Sequence, residues 1–264
     1  MKLTLSPFAA ELAQIAQAAG RLILKHYAGV SEARVKEDAS PVTAADIEAE
    51  ALIEKALSVL APDIPVIGEE AMAAGAAPAA GRRFFLVDPL DGTKEFLKRN
   101  GEFTVNIALI EDGAPMCGVV LAPAKGRAFV GEAGRGAFEL AAPEDLPLDV
   151  TQAQKIAARA APETGLVVIA SRTHRDTKTD EYIAAYRVAN LLAAGSSLKF
   201  CLVASGEADL YPRHGPTMEW DTAAGQAVLE AAGGSVTTLD GARLLYGKRD
   251  RKFRNPHFVA RGLA

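Results

Sequence analysis

Cysteine is scarce: Cys117 and Cys201 are the only two in 264 residues. Two thiols cannot build a disulfide framework or a four-thiolate zinc site. Both lie in apolar surroundings, where buried, reduced thiols are expected. Long hydrophobic runs are also missing, and no uncharged apolar stretch reaches the ~18 residues that would suggest a membrane span. The start, Met1-Lys2-Leu3-Thr4-Leu5-Ser6, lacks an apolar core with a small-residue cleavage site, so no signal peptide is expected. Nor is there a surplus of positive charge: 29 Lys and Arg face 33 Asp and Glu, a formal net charge of −4. That leaves no overall basic field for a nucleic-acid partner, while a small basic pocket for a phosphorylated ligand stays open. No internal repeat and no convincing Ser-His-Asp or Cys-His pairing is found. A cytoplasmic enzyme is the expectation.

What is present reads as an ordinary globular chain, 49% hydrophobic and 23% charged, long enough for one large domain or two moderate ones. Ser6-Pro7 is a helix start, and Phe8, Leu12, Ile15, Ala19 and Leu22 repeat at helical spacing behind it. Residues 30–42 are polar and irregular. Thr43 is an N-cap for a second helix through Ile47, Leu52, Ala56 and Leu60, with Asp46 completing a capping box. Ile64–Ile67 is a short strand leading to Gly68-Glu69-Glu70, and residues 71–81 form a loop. Phe103–Ile110, the hairpin signal Asp112-Gly113 and Met116–Leu121 begin an antiparallel meander that continues through Ala128–Val130 and Ala137–Leu140. The proline-bearing stretch 141–165 marks a boundary between an N-terminal half, 1–145, and a C-terminal half, 146–264. In the second half Leu166–Ala170 is a strand covered on both faces. Helices follow at 177–187 and 197–206, a short strand near Asp209–Tyr211, and an Ala-rich helix opened by Asp221 and ended by Gly233-Gly234. Strand signals recur at Val236-Thr237, Leu244-Leu245 and Phe258-Val259.

The organising stretch is Asp88-Pro89-Leu90-Asp91-Gly92-Thr93, behind the apolar strand Phe84–Val87. Pro89 cannot donate to a ladder, so the strand is expected to stop at Asp88. Taken alone, these residues read equally well as a plain turn, and Asp46 as a plain cap. Asp46, Glu69, Asp88, Asp91 and Asp221, however, all fall at helix starts or strand ends, which converge on a crevice in α/β sheets. Five carboxylates repel one another unless cations compensate them. Oxygen ligands suit Mg²⁺, and paired metals suit phosphoryl-ester hydrolysis. The N–H groups of Gly92 and Thr93 would face an anion.

Gly68-Glu69-Glu70, Asp88–Thr93 and Trp220-Asp221-Thr222-Ala223-Ala224-Gly225 together resemble the inositol monophosphatase superfamily of Mg²⁺-dependent, lithium-sensitive phosphatases. The likeness spans nearly the whole chain. Ser40–Asp46, Thr93–Phe96, Gly195–Cys201 and Tyr211-Pro212-Arg213 with Gly215-Pro216-Thr217 look like its 3′(2′),5′-bisphosphate nucleotidase branch. The resemblance implies an α/β fold with the layered αβαβα sandwich. It also implies hydrolysis of adenosine 3′,5′-bisphosphate to AMP, clearing a by-product of sulfate assimilation.

By position, the resemblance puts Glu69, Asp88 and the Leu90 carbonyl on a first Mg²⁺, and Asp88, Asp91 and Asp221 on a second; two or three ions are left open. Asp46 and Thr93 would orient and deprotonate water, and the Gly92 and Thr93 amides would hold the scissile phosphate. Glu69, Leu90, Asp91 and Asp221 would also border the substrate. Lys199 and Arg213 are candidates for a second phosphate, with Ser196 adding a hydroxyl and His174 lining the nucleoside pocket. Glu70 is read as a supporting carboxylate, and Glu219 has no account. The alternatives are an inositol monophosphatase or other small-phosphomonoester phosphatase, or a silent nucleotide-binding regulator. Monomer and homodimer are both open, as is peripheral contact with the inner face of the cell membrane.

Overall fold

Helix α1 (Pro7–Ala28) begins as its sequence dictates: the Ser6 hydroxyl accepts from the Ala9 N–H, and Pro7 takes the first helical position. The structure, a computed structural model, describes residues 4–29, 33–35, 41–76 and 81–263. Met1–Leu3, Ser40 with most of the polar stretch 30–42, and 77–80 of the expected loop lie outside the described residues. A ribbon of β1 (Ala33–Val35) and β2 (Pro41–Thr43) leads into α2 (Ala44–Leu60), whose capping box between Thr43 and Asp46 is complete. Then come β3 (Val66–Gly68), α3 (Glu69–Ala73), β4 (Arg83–Asp91) and α4 (Thr93–Leu97). The meander is β5 (Thr104–Glu111), β6 (Ala114–Ala122), β7 (Arg127–Glu132), β8 (Gly136–Ala141) and β9 (Gln154–Ile156). The remainder runs β10 (Leu166–Ser171), α5 (Thr177–Ala184), β11 (Val188–Ala194), α6 (Leu198–Ala204), β12 (Leu210–Arg213), α7 (Ala223–Ala231), β13 (Ser235–Thr238) and β14 (Phe258–Arg261).

Two sheets result, ordered β3-β4-β5-β6-β7-β8-β9 and β11-β10-β12-β14-β13. Helices α1 and α2 cover the outer face of the larger sheet around Phe85, Val105 and Phe138. Helices α6 and α7 lie between the sheets, where Phe129, Phe200, Val228 and Phe258 share one core. Helix α5 covers the far face of the smaller sheet through Ile183. The order is α, β, α, β, α. Two glycines set the spacing of the central layer: a Cβ on Gly131 would stand 2.4 Å from the Val228 Cα, and one on Gly118 2.6 Å from the Ala224 carbonyl oxygen.

Several boundaries differ from expectation. Strand β4 does not stop at Asp88. It continues to Asp91 through a bulge, with Asp88 opposite Asn106 and Asp91 opposite Thr104. The bulge accommodates Pro89, which has no N–H to give the ladder. Helix α7 starts at Ala223, so Asp221 lies in the turn before it. Leu244-Leu245 is not a strand: the chain touches β13 through one isolated bridge, Thr237 to Arg243, and a Leu244 N–H bond to the Val236 carbonyl at 3.0 Å. Four strands were not foreseen: β1 and β2 pair with each other within the stretch read as irregular, and β9 and β11 are the other two. β9 sits inside the proline-bearing stretch and extends the larger sheet. β11 has the Ala- and Leu-rich composition of a helix, and parallel pairing with β10 overrides that preference.

Candidate metal and phosphate site

Glu69, Asp88 and Asp221 each place a carboxylate oxygen within 4.8 Å of the others. Different elements deliver them: the β3-to-α3 junction, the β4 bulge and the turn before α7. Each junction is fixed by backbone. Asp88 Oδ1 accepts from the Leu90 N–H at 3.0 Å, and Asp221 Oδ2 from the Met218 N–H at 2.8 Å. Asp91 stands beside this group with one oxygen already engaged. Its Oδ2 accepts from the Ser197 N–H at 2.6 Å and the Asn106 amide at 3.4 Å.

Burial, and then the charges of the neighbouring acids, hold the Asp88 and Asp221 carboxyls well above the usual carboxylate range. Asp91 is raised chiefly by burial, against the opposing pull of Lys199 and the Ser197 N–H. Buried like charges of this kind are stable only when protonated or when a cation lies among them. The donors are all oxygens, which suits a hard divalent cation. The residues therefore fit the metal that the sequence implies.

Asp46 has two tasks. Its Oδ2 closes the capping box, accepting from the Thr43 N–H at 2.8 Å and the Thr43 hydroxyl at 2.6 Å. Its Oδ1 accepts from the Thr93 hydroxyl at 3.3 Å. The cap thus fixes the carboxylate that accepts the Thr93 hydrogen bond. The same hydroxyl lies 3.4 Å from the Leu90 carbonyl. Gly92, at φ +93°, makes the left-handed turn that opens α4, and a Cβ there would crowd the Glu102 carbonyl at 3.1 Å.

Glu69, Asp91 and Asp221 line a cavity of about 400 Å³, a size suited to a small molecule. Lys94, His174, Lys199 and Arg213 line the same cavity. Arg213 is 7% exposed, and its Nε has no hydrogen-bond partner among the described residues. A buried guanidinium N–H left open in a polar cavity is a donor awaiting an anion. Lys199 is buried too. Its ammonium donates to the Ser196 carbonyl at 2.5 Å, and burial lowers it to about 8 against the pull of Asp91. Ser196 lines the cavity, with its hydroxyl 2.7 Å from that of Thr104.

Sequence reasoning missed the residues that hold the ligands in place. The Asn106 amide also donates to the Ser197 hydroxyl at 3.1 Å, and that hydroxyl donates to the Asp221 carbonyl at 2.5 Å. An asparagine inside the apolar run Phe103–Ile110 was the available signal. Glu50, 4% exposed, accepts from the Glu70 N–H at 2.8 Å and the Ala71 N–H at 2.6 Å, anchoring the turn that bears Glu69. Its place four residues after Asp46 on an amphipathic helix gave no distinguishing sign. Glu219 is now explained: fully buried, it accepts from the Gly247 and Lys248 N–H groups at 2.7 and 2.9 Å and pairs with the Lys248 ammonium at 2.7 Å, pinning the loop after Tyr246.

Residues 4–261 match the family model described as the inositol monophosphatase family. The 3′(2′),5′-bisphosphate nucleotidase CysQ of Salmonella typhimurium is 46% identical over 258 residues, covering 94% of this chain and 97% of that protein. The CysQ of Escherichia coli strain K12 is 46% identical over 250 residues with the same coverage. The crystal structure of CysQ from Bacteroides thetaiotaomicron superposes with a TM-score of 0.80 at 37% identity, covering 97% of each chain.

Proposed function

The chain belongs to the inositol monophosphatase family, and from that premise we propose that it is a metal-dependent nucleotidase hydrolysing adenosine 3′,5′-bisphosphate to AMP and phosphate. The observation that carries the substrate choice is the 46% identity with CysQ over 94% of the chain. A cavity lined by both carboxylates and cations supports the same reading: the acids suit metal and scissile phosphate, the cations a second phosphate.

The metal assigned is Mg²⁺, two ions or three. Glu69, Asp88 and the Leu90 carbonyl would hold one, and Asp88, Asp91 and Asp221 another. When bound, Mg²⁺ supplies acidity to water and neutralises charge on the phosphate oxygens. Thr93 and Asp46 manage the proton. The Thr93 Oγ takes a proton from the attacking water as its own passes to Asp46 Oδ1, 3.3 Å away. The water oxygen bonds to phosphorus, the ester P–O bond breaks, and the leaving ribose oxygen takes a proton from solvent water. Gly92 and Thr93 amides orient the scissile phosphate, while Arg213, Lys199 and Ser196 border the rest of the nucleotide. Catalysis then rests on positioning and charge stabilisation.

The test is phosphate release from adenosine 3′,5′-bisphosphate in parallel Mg²⁺, EDTA and Li⁺ arms, against inositol 1-phosphate and fructose bisphosphate. Turnover of the nucleotide with Mg²⁺, lost in EDTA and inhibited by Li⁺, is expected. Preference for inositol 1-phosphate would overturn the substrate, and release in EDTA would overturn the metal mechanism.

A further inference from the structure

The cationic lining of the cavity is organised by a chain of four side chains that starts one residue after Thr93. Lys94 Nζ lies 3.4 Å from His174 Nε2. His174 Nδ1 lies 3.0 Å from the Thr173 hydroxyl, which donates to Glu95 Oε1 at 3.1 Å. Donor chemistry sets the direction of every link. An ammonium can only donate, so Nε2 accepts; Nδ1 then carries the ring proton and gives it to Thr173, whose own proton goes to Glu95. Glu95 is 3% exposed, so the far end is a fixed anchor. The near end, Lys94, is exposed at the mouth of the cavity.

The loop bearing His174 is braced independently of this chain. The Ser171 hydroxyl accepts from the His174 N–H at 3.2 Å, and Arg172 makes a paired contact with Glu102 at 2.8 and 2.9 Å. Glu102 also accepts from the Gly195 N–H at 3.0 Å. The braces hold the loop and the Gly195 turn against the α4-to-β5 loop that carries Glu102. Desolvation at the rim, then the charges of Arg213, Lys94, Lys199 and Lys98, push His174 down to about 4. The ring is therefore neutral near pH 7, and both of its nitrogens are engaged. It has no N–H left for an anion. An ammonium that spends one N–H on His174 keeps two.

We propose that Lys94 receives the unhydrolysed phosphate of the nucleoside bisphosphate at the cavity mouth, aimed there by the chain through His174 and Thr173 to Glu95. This rests on the nucleotidase reading and adds a third cation to Arg213 and Lys199. It gives His174 a positioning role toward Lys94 in place of a charge of its own. Lys94 adjoins the turn assigned to the scissile phosphate, so one short segment spans both phosphates of the substrate.

The test compares adenosine 3′,5′-bisphosphate with adenosine 3′-monophosphate, which keeps the scissile group and lacks the second phosphate. For Lys94→Gln the ratio of their kcat/KM values should fall at least about tenfold, mainly through KM for the bisphosphate, as expected when one phosphate contact is lost. Lys94→Arg should restore most of the ratio. Thr173→Val, which keeps the charge and cuts its anchor, should lower the ratio by less. An unchanged ratio in Lys94→Gln, whether both substrates suffer equally or neither does, overturns the assignment. Parent enzyme that hydrolyses both nucleotides equally well would overturn the Lys94 assignment by showing no use of the second phosphate, whereas parent enzyme that hydrolyses neither would overturn the nucleotidase reading itself.

Discussion

Asp88 shows how a single side chain can oppose folding and enable function. It is buried among Glu69, Asp91, Asp221 and Asp46, and its carboxyl is held well above the usual range, first by burial and then by those charges. A carboxyl raised in the fold contributes stability that is fully present below its unfolded value, 3.8 here, and lost as pH rises through the folded value. Asp88→Asn removes that ionisation. Without metal, the variant should melt at a higher temperature than the parent, and the gap should widen as pH rises above 3.8. Thermal melts in EDTA across that range check this, and a gap that narrows with pH would contradict it. In the same variant phosphate release with Mg²⁺ should drop by about 100-fold or more, since losing even an outer partner of a metal ligand costs roughly 10- to 100-fold. Asp46 was ambiguous in the sequence because a cap and a proton acceptor look alike there. In the structure one oxygen closes the cap and the other accepts from the Thr93 hydroxyl, an arrangement that accommodates both readings.

Among the elements, helix α7 carries the tightest constraint. It lies on β6 and β7 with no room for side chains at Gly118 and Gly131. Gly131→Ala would force its new Cβ to within 2.4 Å of the helix backbone at Val228. The helix must shift or the strand must bend, at a cost of about 1–3 kcal/mol. Urea unfolding should show that loss, and Mg²⁺ titration should show weaker binding, because Asp221 sits in the turn that α7 anchors. Unaltered stability would mean that the layers slide more freely than their packing implies. Elements with a strong local signal were legible in the sequence: the capped helices, the Asp112-Gly113 hairpin and the meander. Those decided by pairing across the fold were not. Val188–Ala194 has one strand former, Val188, among Ala and Leu, and pairing with β10 makes it a strand. The β4 bulge was hidden for the opposite reason: Pro89 is a valid stop signal, and the chain passes it by giving up one ladder position.

At the scale of the molecule, the site belongs to neither sheet alone. Glu69, Asp88 and Asp91 come from the larger sheet and its junctions, while Asp221, Lys199 and Arg213 come from the layer between and from the smaller sheet. The order and spacing of the acidic blocks carried this convergence in the sequence. The bracing by Ser197, Glu50 and Glu95 was silent, because hydrogen bonds between distant residues leave no periodic trace, and only Asn106, a polar residue in an apolar run, showed. A site closed by both sheets couples metal binding to the whole fold. Ligand bound only by the folded state adds RT ln(1 + [L]/Kd), about 2.7 kcal/mol at a hundredfold excess over Kd. The melting temperature should therefore rise steadily with Mg²⁺ and fall back in EDTA, with near- and far-ultraviolet signals moving together if both sheets respond as one unit. Asp88→Asn should flatten that dependence while keeping a cooperative melt. A Mg²⁺-induced rise of the parent's size in Asp88→Asn would place the ion away from these acids and sink the metal assignment, whereas two separate transitions would uncouple the sheets and leave it standing.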